Sequence, residues 1–174
     1  EDGRVVITRV SGRMTFPSSF MLVCAMNPCK CGYYGSKVRE CTCKREDIKK
    51  YLSKISGPLL DRIDIQVELP AVEYSELSGG GNGEKSADVR KRVIEARSFA
   101  RERFGKEDIL CNARMSSTDI RKYCKLDDAG NKILKGAFDS MGLSARGYDR
   151  ILRVARTIAD LAGSETVREE DLQN

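Results

Sequence analysis

Four cysteines lie within a short segment of this chain and are well suited to bind a metal ion. Cys29 and Cys31 form one C-x-C pair, Cys41 and Cys43 form a second, and nine residues separate the two pairs. Four thiolates from a compact loop form the tetrahedral shell that suits structural Zn²⁺. The pattern therefore predicts a structural zinc site, with four free or redox-active thiols as the alternative.

Histidine is absent from all 174 residues. This excludes a Ser-His-Asp triad, a Cys-His nucleophile pair, HExxH metallohydrolases and any histidine-ligated metal. A general base would have to be Asp, Glu, Lys, Tyr or Cys. The remaining chemistry is therefore that of thiolates, carboxylates, amides and cations.

The composition favours a soluble globular protein in a reducing compartment. The chain is 40% hydrophobic and 33% charged, and its longest apolar run, residues 20–26, is too short to span a membrane. No signal peptide is recognised, so seven cysteines indicate thiols or metal ligands in the cytoplasm rather than disulfides. The three cysteines outside the cluster, Cys24, Cys111 and Cys124, lie in apolar patterns and are predicted to be small core residues. The net charge of +5 permits, but does not require, a nucleic-acid or phosphate partner.

Strand patterns dominate the first part of the chain. Residues 4–10 and 14–16 predict a hairpin around the turn at residues 11–13. The continuously apolar run 20–26 predicts a central strand that ends at Asn27, before a proline. Residues 63–69 alternate as a second strand, and a short helix is predicted over residues 46–53.

Helical patterns dominate the second part. Apolar spacing and caps predict four helices: residues 87–104, a short helix capped within residues 116–118 that runs through Tyr123, residues 128–141, and residues 145–162, with Thr166 as the candidate cap of one last turn. The apolar faces of these helices, which include Val89, Val93 and Tyr148, are predicted to point inward. The predicted fold class is α/β plus α. The predicted domains are residues 1–75, which carry the cysteine-rich insertion 29–43, a glycine-rich linker at 76–86, and a helical domain at 87–174.

Arg146 occupies an unusual place in this pattern. If Ser144 caps the fourth helix, Arg146 lies in its first turn, where the helix dipole disfavours a cation unless an anion is near. The N-terminus of a helix attracts phosphate, so Arg146 is a candidate phosphate contact. The alternative is a solvated surface arginine, since Arg150 and Arg153 share its face.

Several motifs together resemble the magnesium-chelatase-like AAA+ ATPases of the YifB/ComM family. The matching runs are Leu-Val-Cys-Ala-Met-Asn-Pro-Cys at 22–29, Cys-Gly-Tyr-Tyr-Gly at 31–35, Ile-Ser-Gly-Pro-Leu-Leu-Asp-Arg-Ile-Asp at 55–64, and Leu-Ser-Ala-Arg-Gly-Tyr at 143–148 with the helical run 151–161. Lys30 departs from the proline expected between the first two cysteines, but this removes no metal ligand.

The resemblance implies a fold and a set of site residues. The chain would hold the C-terminal half of a AAA+ α/β core (hairpin, sensor strand and finger strand), followed by an all-helical lid bundle. Asn27 would be the sensor that orients the attacking water, Arg62 an arginine finger, and Arg146 the second sensor that contacts nucleotide. The alternatives are a turn-forming Asn27 and an Arg62 paired with a neighbouring aspartate.

The resemblance also implies cofactors and partners. The full-length protein would use ATP and Mg²⁺, form a ring because the finger acts in trans, and couple hydrolysis to remodelling of DNA by branch migration. Arg9 and Arg13, at the hairpin tip, would contact DNA phosphates without reading sequence, or would be ordinary exposed charges. Metal insertion into a porphyrin, and a zinc-stabilised module for DNA or protein binding, are the competing functions.

No GxxxxGK[ST] phosphate-binding loop occurs in the sequence. We therefore interpret the chain as a piece of a longer protein. We expect this piece alone not to hydrolyse ATP.

Overall fold

A computed structural model describes residues 3–70 and 83–173. The chain divides into two compact units, Glu1–Lys54 and Ile55–Asn174, called here the N-terminal and C-terminal units. Most of the predicted linker, residues 76–82, lies outside the described residues, so the proposed domain division at residues 76–86 stays a prediction.

The N-terminal unit begins with the predicted hairpin. Strand β1 spans Arg4–Arg9 and pairs antiparallel with β2, Gly12–Pro17. Val5 lies opposite Phe16 and Ile7 opposite Met14, so one face of the hairpin is apolar. A long irregular segment follows and leads to helix α1, Arg45–Leu52, which confirms the helix predicted there.

The predicted central strand at residues 20–26 is not formed. The segment has no regular secondary structure and is exposed, and Met21 retains 87% of its accessible surface. A central strand needs hydrogen-bonding neighbours on both sides, and the described residues supply only the two-stranded β1–β2 sheet. Cys24, predicted to be a core residue, is exposed for the same reason.

The C-terminal unit opens with α2, a short helix over Gly57–Leu60. The strand predicted at residues 63–69 is also missing from this unit, since the described residues offer it no partner strand. The apolar pattern of residues 20–26 and 63–69 therefore did not predict whether these segments pair as strands. The AAA+ α/β core implied by the resemblance is not visible in the described residues.

The helices of the C-terminal unit largely confirm the prediction. Helix α3 spans Ser86–Phe104, α4 Ser117–Tyr123, α5 Asp128–Met141, α6 Ala145–Leu161 and α7 Glu169–Gln173, with a 3₁₀ turn at Asn112–Arg114. Ser116 and Ser144 cap α4 and α6 as predicted. The last helix begins at Glu169, so the prediction that Thr166 caps it is wrong.

The core of this unit is smaller than the helix patterns predict. Its main cluster contains Ala100, Phe104, Met115, Ile120, Cys124, Leu134 and Leu152. Phe104 meets Tyr123 edge to face, with ring centroids 5.3 Å apart. Val89 and Val93, predicted to face inward, are exposed because only the C-terminal half of α3 packs in the core. Tyr148 on α6, also predicted to face inward, is exposed as well.

The remaining cysteines differ in their surroundings. Cys111 is half-buried, and Cys124 is buried in the main cluster, as predicted for a small core residue. Burial raises the pKa of the Cys124 thiol to about 11, which keeps it protonated and unreactive at neutral pH.

A buried ionic network ties α3, the 3₁₀ turn and α6 together. Asp160 accepts hydrogen bonds from Arg103 at 2.7 Å, from Asn112 at 2.7 Å and from Arg156 at 3.1 Å. Arg156 has no exposed side-chain surface, and burial lowers the pKa of its guanidinium although Asp160 opposes this. Arg156 also donates to the carbonyls of Ser164 and Glu165, which holds the chain beyond α6.

We predict that Asp160→Ala strongly destabilises the chain. Both arginines would lose their buried counter-charge, and breaking a buried ion pair in this way typically costs about 3–5 kcal/mol. Urea unfolding followed by far-ultraviolet circular dichroism measures the loss. The exposed Asp139 on α5 provides the control, since Asp139→Ala should change the free energy of unfolding by less than about 0.5 kcal/mol. Equal midpoints for the two variants would contradict the role of Asp160.

Candidate functional site

The four clustered cysteines are brought together by tight turns in the N-terminal unit. Gly32 donates its N–H to the carbonyl of Cys29 at 3.1 Å, and Ser36 donates to the carbonyl of Tyr33 at 3.1 Å. Gly32 and Gly35 adopt φ values of 84° and 80°, which residues with a side chain rarely adopt. These two glycines let the chain reverse, so that the second C-x-C pair returns to the first.

The sulfur atoms form a compact cluster. Cys29 Sγ lies 3.3 Å from Cys31 Sγ and 3.7 Å from Cys41 Sγ, Cys31 Sγ lies 3.5 Å from Cys41 Sγ, and all four sulfurs, including that of Cys43, lie within 4.8 Å of one another. A tetrahedral site with metal–sulfur bonds of about 2.3 Å has sulfurs about 3.8 Å apart. The cluster could therefore hold a metal ion, and its dimensions fit a four-thiolate site.

Backbone amides near the cluster favour the thiolate form of two of its cysteines. The amides of Tyr33 and Thr42 lower the pKa of Cys31, and those of Tyr34 and Cys31 act in the same direction on Cys29. The thiolate is the form that binds metal. The loop could therefore offer a metal ion both ligands and outer support.

The thiols of the cluster differ in pKa. The Tyr33 N–H and the Cys29 thiol lower the pKa of Cys31 to about 6. The N–H of Cys43 lowers the pKa of Cys41, but burial and the thiols of Cys31 and Cys29 outweigh it and raise that pKa to about 12. A bound divalent cation would stabilise the thiolate form of all four cysteines, so their difference in pKa would no longer matter.

Asn27 lies just before the cysteine loop. It is exposed, and the strand that was predicted to position it is not formed among the described residues. Its place directly before Pro28 is as predicted, but the structure gives it no neighbours that test the sensor role. That role stays a prediction.

Arg62 lies in the turn that follows α2. Its guanidinium donates to the carbonyl of Pro58 at 3.5 Å, and the side chain is exposed. The turn itself is held by Arg150 on α6, which donates to the carbonyls of Leu60, Asp61 and Ile63 at 3.3, 2.9 and 3.0 Å. Arg150 is thus a positioning residue, whereas its spacing alone had suggested a polar exterior.

Arg146 lies on an open groove of about 710 Å³ in the C-terminal unit. The groove also contains Arg121 from α4, while Ile120, Leu126 and Leu152 form part of its apolar wall. Asp149 lies in the groove too, but it accepts a hydrogen bond from Ser117 at 2.7 Å. Two arginines line this groove, and one of them, Arg146, lies in the first turn of α6, so the groove is suitable for an anion.

Arg121 was not anticipated from the sequence. Arg121 and Arg146 line the same groove because α4 packs beside α6, and a local sequence pattern does not predict that packing. Arg153, the third arginine on this face of α6, donates to the carbonyl of Met115 at 3.2 and 3.0 Å. Of the three arginines on this face, Arg146 therefore lines the groove, whereas Arg150 and Arg153 donate hydrogen bonds to backbone carbonyls.

Arg9 and Arg13 lie at the tip of the hairpin, as predicted, but on opposite faces. Arg9 pairs with Gly12 and Arg13 pairs with Thr8, and successive residues of a strand face opposite ways. Arg13 shares its face with Arg4, which lies at the far end of the strand. Arg9 lies on the face that carries the apolar residues.

Two family models match this chain. The model described as "Magnesium chelatase, subunit ChlI" matches residues 1–77, and that described as "Magnesium chelatase, subunit ChlI C-terminal" matches residues 83–174. The class is thus that of magnesium-chelatase-like proteins. The chain belongs to the magnesium chelatase subunit ChlI family.

Two curated relatives are similar over almost the whole chain. The competence protein ComM of Haemophilus influenzae is 41% identical over 169 residues, which is 96% of this chain and 32% of that protein. YifB of Escherichia coli is 39% identical over 174 residues, which is 99% of this chain and 33% of that protein. The chain therefore spans about a third of the length of these relatives. These matches confirm the resemblance inferred from the sequence motifs.

None of the described helices is both long and apolar enough to cross a membrane.

We predict that the chain purified without chelator carries a stoichiometric amount of tightly bound metal. Cys29→Ser should abolish this, because it removes the buried ligand of the cluster. Elemental analysis of the gel-filtered protein measures the content. Cys24→Ser is the matched control, since Cys24 is exposed and lies outside the cluster. Retention of stoichiometric metal by Cys29→Ser would disprove the site.

Proposed function

We propose that this chain contributes the sensor, finger and lid residues of a AAA+ ATPase that remodels DNA. The observation that carries the nucleotide part is the groove that is lined by Arg121 of α4 and by Arg146 in the first turn of α6. Family membership supports it independently. The activity would belong to the full-length protein.

The chemistry proposed for the full-length protein is hydrolysis of ATP. Mg²⁺ would bridge the phosphates and offset charge that develops during phosphoryl transfer. From this chain, Asn27 would orient the attacking water with its uncharged amide, which can both donate and accept. Arg62 would neutralise phosphoryl oxygens, and Arg146 would hold the nucleotide from the lid. None of these groups needs to titrate near neutrality, in keeping with a chain that lacks histidine.

Self-association into a ring follows from the proposed role of Arg62. A finger that completes the site of a neighbouring subunit leaves an isolated subunit with an incomplete site. The exposed position of Arg62 in the turn after α2 is compatible with such a contact.

We infer that the metal of the cysteine cluster is Zn²⁺ with a structural role. Four thiolates favour zinc over Mg²⁺, which prefers oxygen ligands. Because all four positions would be protein ligands, no position would remain for a substrate.

Two observations support DNA as the partner: one relative is named a competence protein, and cations lie at the hairpin tip. Non-specific phosphate contacts from Arg9 and Arg13 would suit a motor that moves along DNA. The family description favours a second candidate, ATP-driven insertion of Mg²⁺ into a porphyrin. We favour DNA because the competence protein ComM is 41% identical to this chain over 96% of its length.

We predict that Arg62→Ala in the full-length protein lowers ATP turnover by about 10³-fold or more, the usual contribution of an arginine finger. Steady-state phosphate release measures this. Arg97→Ala, an exposed arginine on α3, is the control and should keep normal turnover. Mixing Arg62→Ala with Asn27→Ala subunits should restore part of the activity, since some interfaces would then hold both groups. Normal turnover in Arg62→Ala would exclude the finger role.

We predict that Arg146→Ala weakens ATP binding about 10- to 100-fold, because a hydrogen bond to a charged group contributes about 1.5–3 kcal/mol. Equilibrium titration of the full-length protein with a fluorescent ATP analogue measures the affinity. Arg146→Lys should retain part of it, and Arg97→Ala all of it. If Arg146→Ala binds the analogue as tightly as the unchanged protein, the groove is not the nucleotide contact.

A further inference from the structure

The outer surface of the cysteine loop presents two adjacent tyrosines. Tyr33 and Tyr34 lie between the turns at Gly32 and Gly35, and both are exposed. Tyr34 keeps 53% of its accessible surface. No other aromatic ring among the described residues packs against it. The loop is held by tight turns, so its exposed aromatic rings can bind a ligand with little further loss of conformational entropy.

Arg39 completes this surface. Its guanidinium lies 4.6 Å from the centroid of the Tyr33 ring and donates to the Tyr33 hydroxyl at 3.3 Å. The contact orients both groups. Among the described residues, no such contact with a cation is made by the ring of Tyr34. Tyr34, the next residue along the chain, leaves its ring open, and an arginine and an open ring on one loop suit a phosphate and a base of the same strand.

The loop is also positively charged. Between residues 29 and 45 it carries the cations Lys30, Lys37, Arg39, Lys44 and Arg45 but one acid, Glu40. Lys30 is partly engaged by Asp47 at 3.5 Å. Four thiolates around a divalent ion add a charge of about −2, so the segment remains cationic when metal is bound.

We propose that this surface binds single-stranded DNA, with Tyr34 stacking on a base and Arg39 and Lys37 contacting phosphates. A base inside a duplex is already stacked on both faces, so an open tyrosine ring selects an unpaired strand. Every base offers a π-face, so the contact is independent of sequence. The cationic surface favours nucleic acid over an apolar protein partner. This proposal rests on the proposed function, in which DNA is the substrate, and specifies the strand form that the loop binds.

The test uses the full-length, metal-loaded protein and fluorescently labelled DNA in anisotropy titrations. Tyr34→Ala should weaken binding of single-stranded DNA about 5- to 100-fold, the usual contribution of one stacked base, and should change duplex binding little. Tyr34→Phe should bind normally, because it keeps the ring. Val38→Ala is the matched control in the same loop, at a side chain that is 76% exposed. Lys37→Gln should reduce the slope of log affinity against log salt by about 0.7.

The metal content of each variant is measured alongside, so that loss of binding is not mistaken for loss of the loop. If Tyr34→Ala fails to retain metal, photocrosslinking of unchanged protein to a 4-thiothymine oligonucleotide replaces it. A crosslink on the peptide that contains Tyr33 and Tyr34 supports the proposal, and its absence overturns it.

Other outcomes separate this proposal from the proposed function. If Tyr34→Ala binds both DNA forms normally while Arg9→Ala/Arg13→Ala loses binding, the loop proposal fails and DNA remodelling stands. Equal losses of single-stranded and duplex binding in Tyr34→Ala would exclude base stacking. If the unchanged protein binds neither form, the DNA substrate itself is wrong.

Discussion

The C-terminal unit depends on one buried carboxylate. Asp160 is the group on which Arg103 from α3, Asn112 from the 3₁₀ turn and Arg156 of its own helix converge. Buried ion pairs lose much of their Coulomb energy to desolvation, so their contribution to stability alone is often small. Here the network joins three elements at one carboxylate, and these contacts hold α6 against α3 and the 3₁₀ turn. The helix that carries Arg146 and Arg150 is placed by these contacts.

The helices could be predicted from sequence because their signals are local. Ser116 and Ser144 cap the residues next to them, and apolar spacing marks each buried stripe. The segments at residues 20–26 and 63–69 have equally clear apolar patterns, yet neither forms a strand. A strand is completed by a partner distant in sequence, and no property of the segment itself provides that partner.

The same contrast between local and distant signals applies to the candidate site. The thiolate cluster was predictable because all four ligands lie in one short loop whose glycines permit the turns. Arg121 and Arg150 were not predictable as site residues, since the groove and the turn that they reach are formed by other elements. The i,i+4 spacing of Arg156 and Asp160 was visible, but it is also typical of solvated helix faces. Only packing distinguishes a buried pair from an exposed one.

The hydrogen bonds from Arg150 to the turn around Arg62 have a mechanical consequence. Their acceptors are backbone carbonyls of residues 60, 61 and 63, so the linkage does not depend on which side chains occupy those positions. A tilt of α6 would therefore act on the main chain of the turn itself. If Arg146 binds nucleotide as proposed, a displacement of α6 would be transmitted to the turn that carries Arg62.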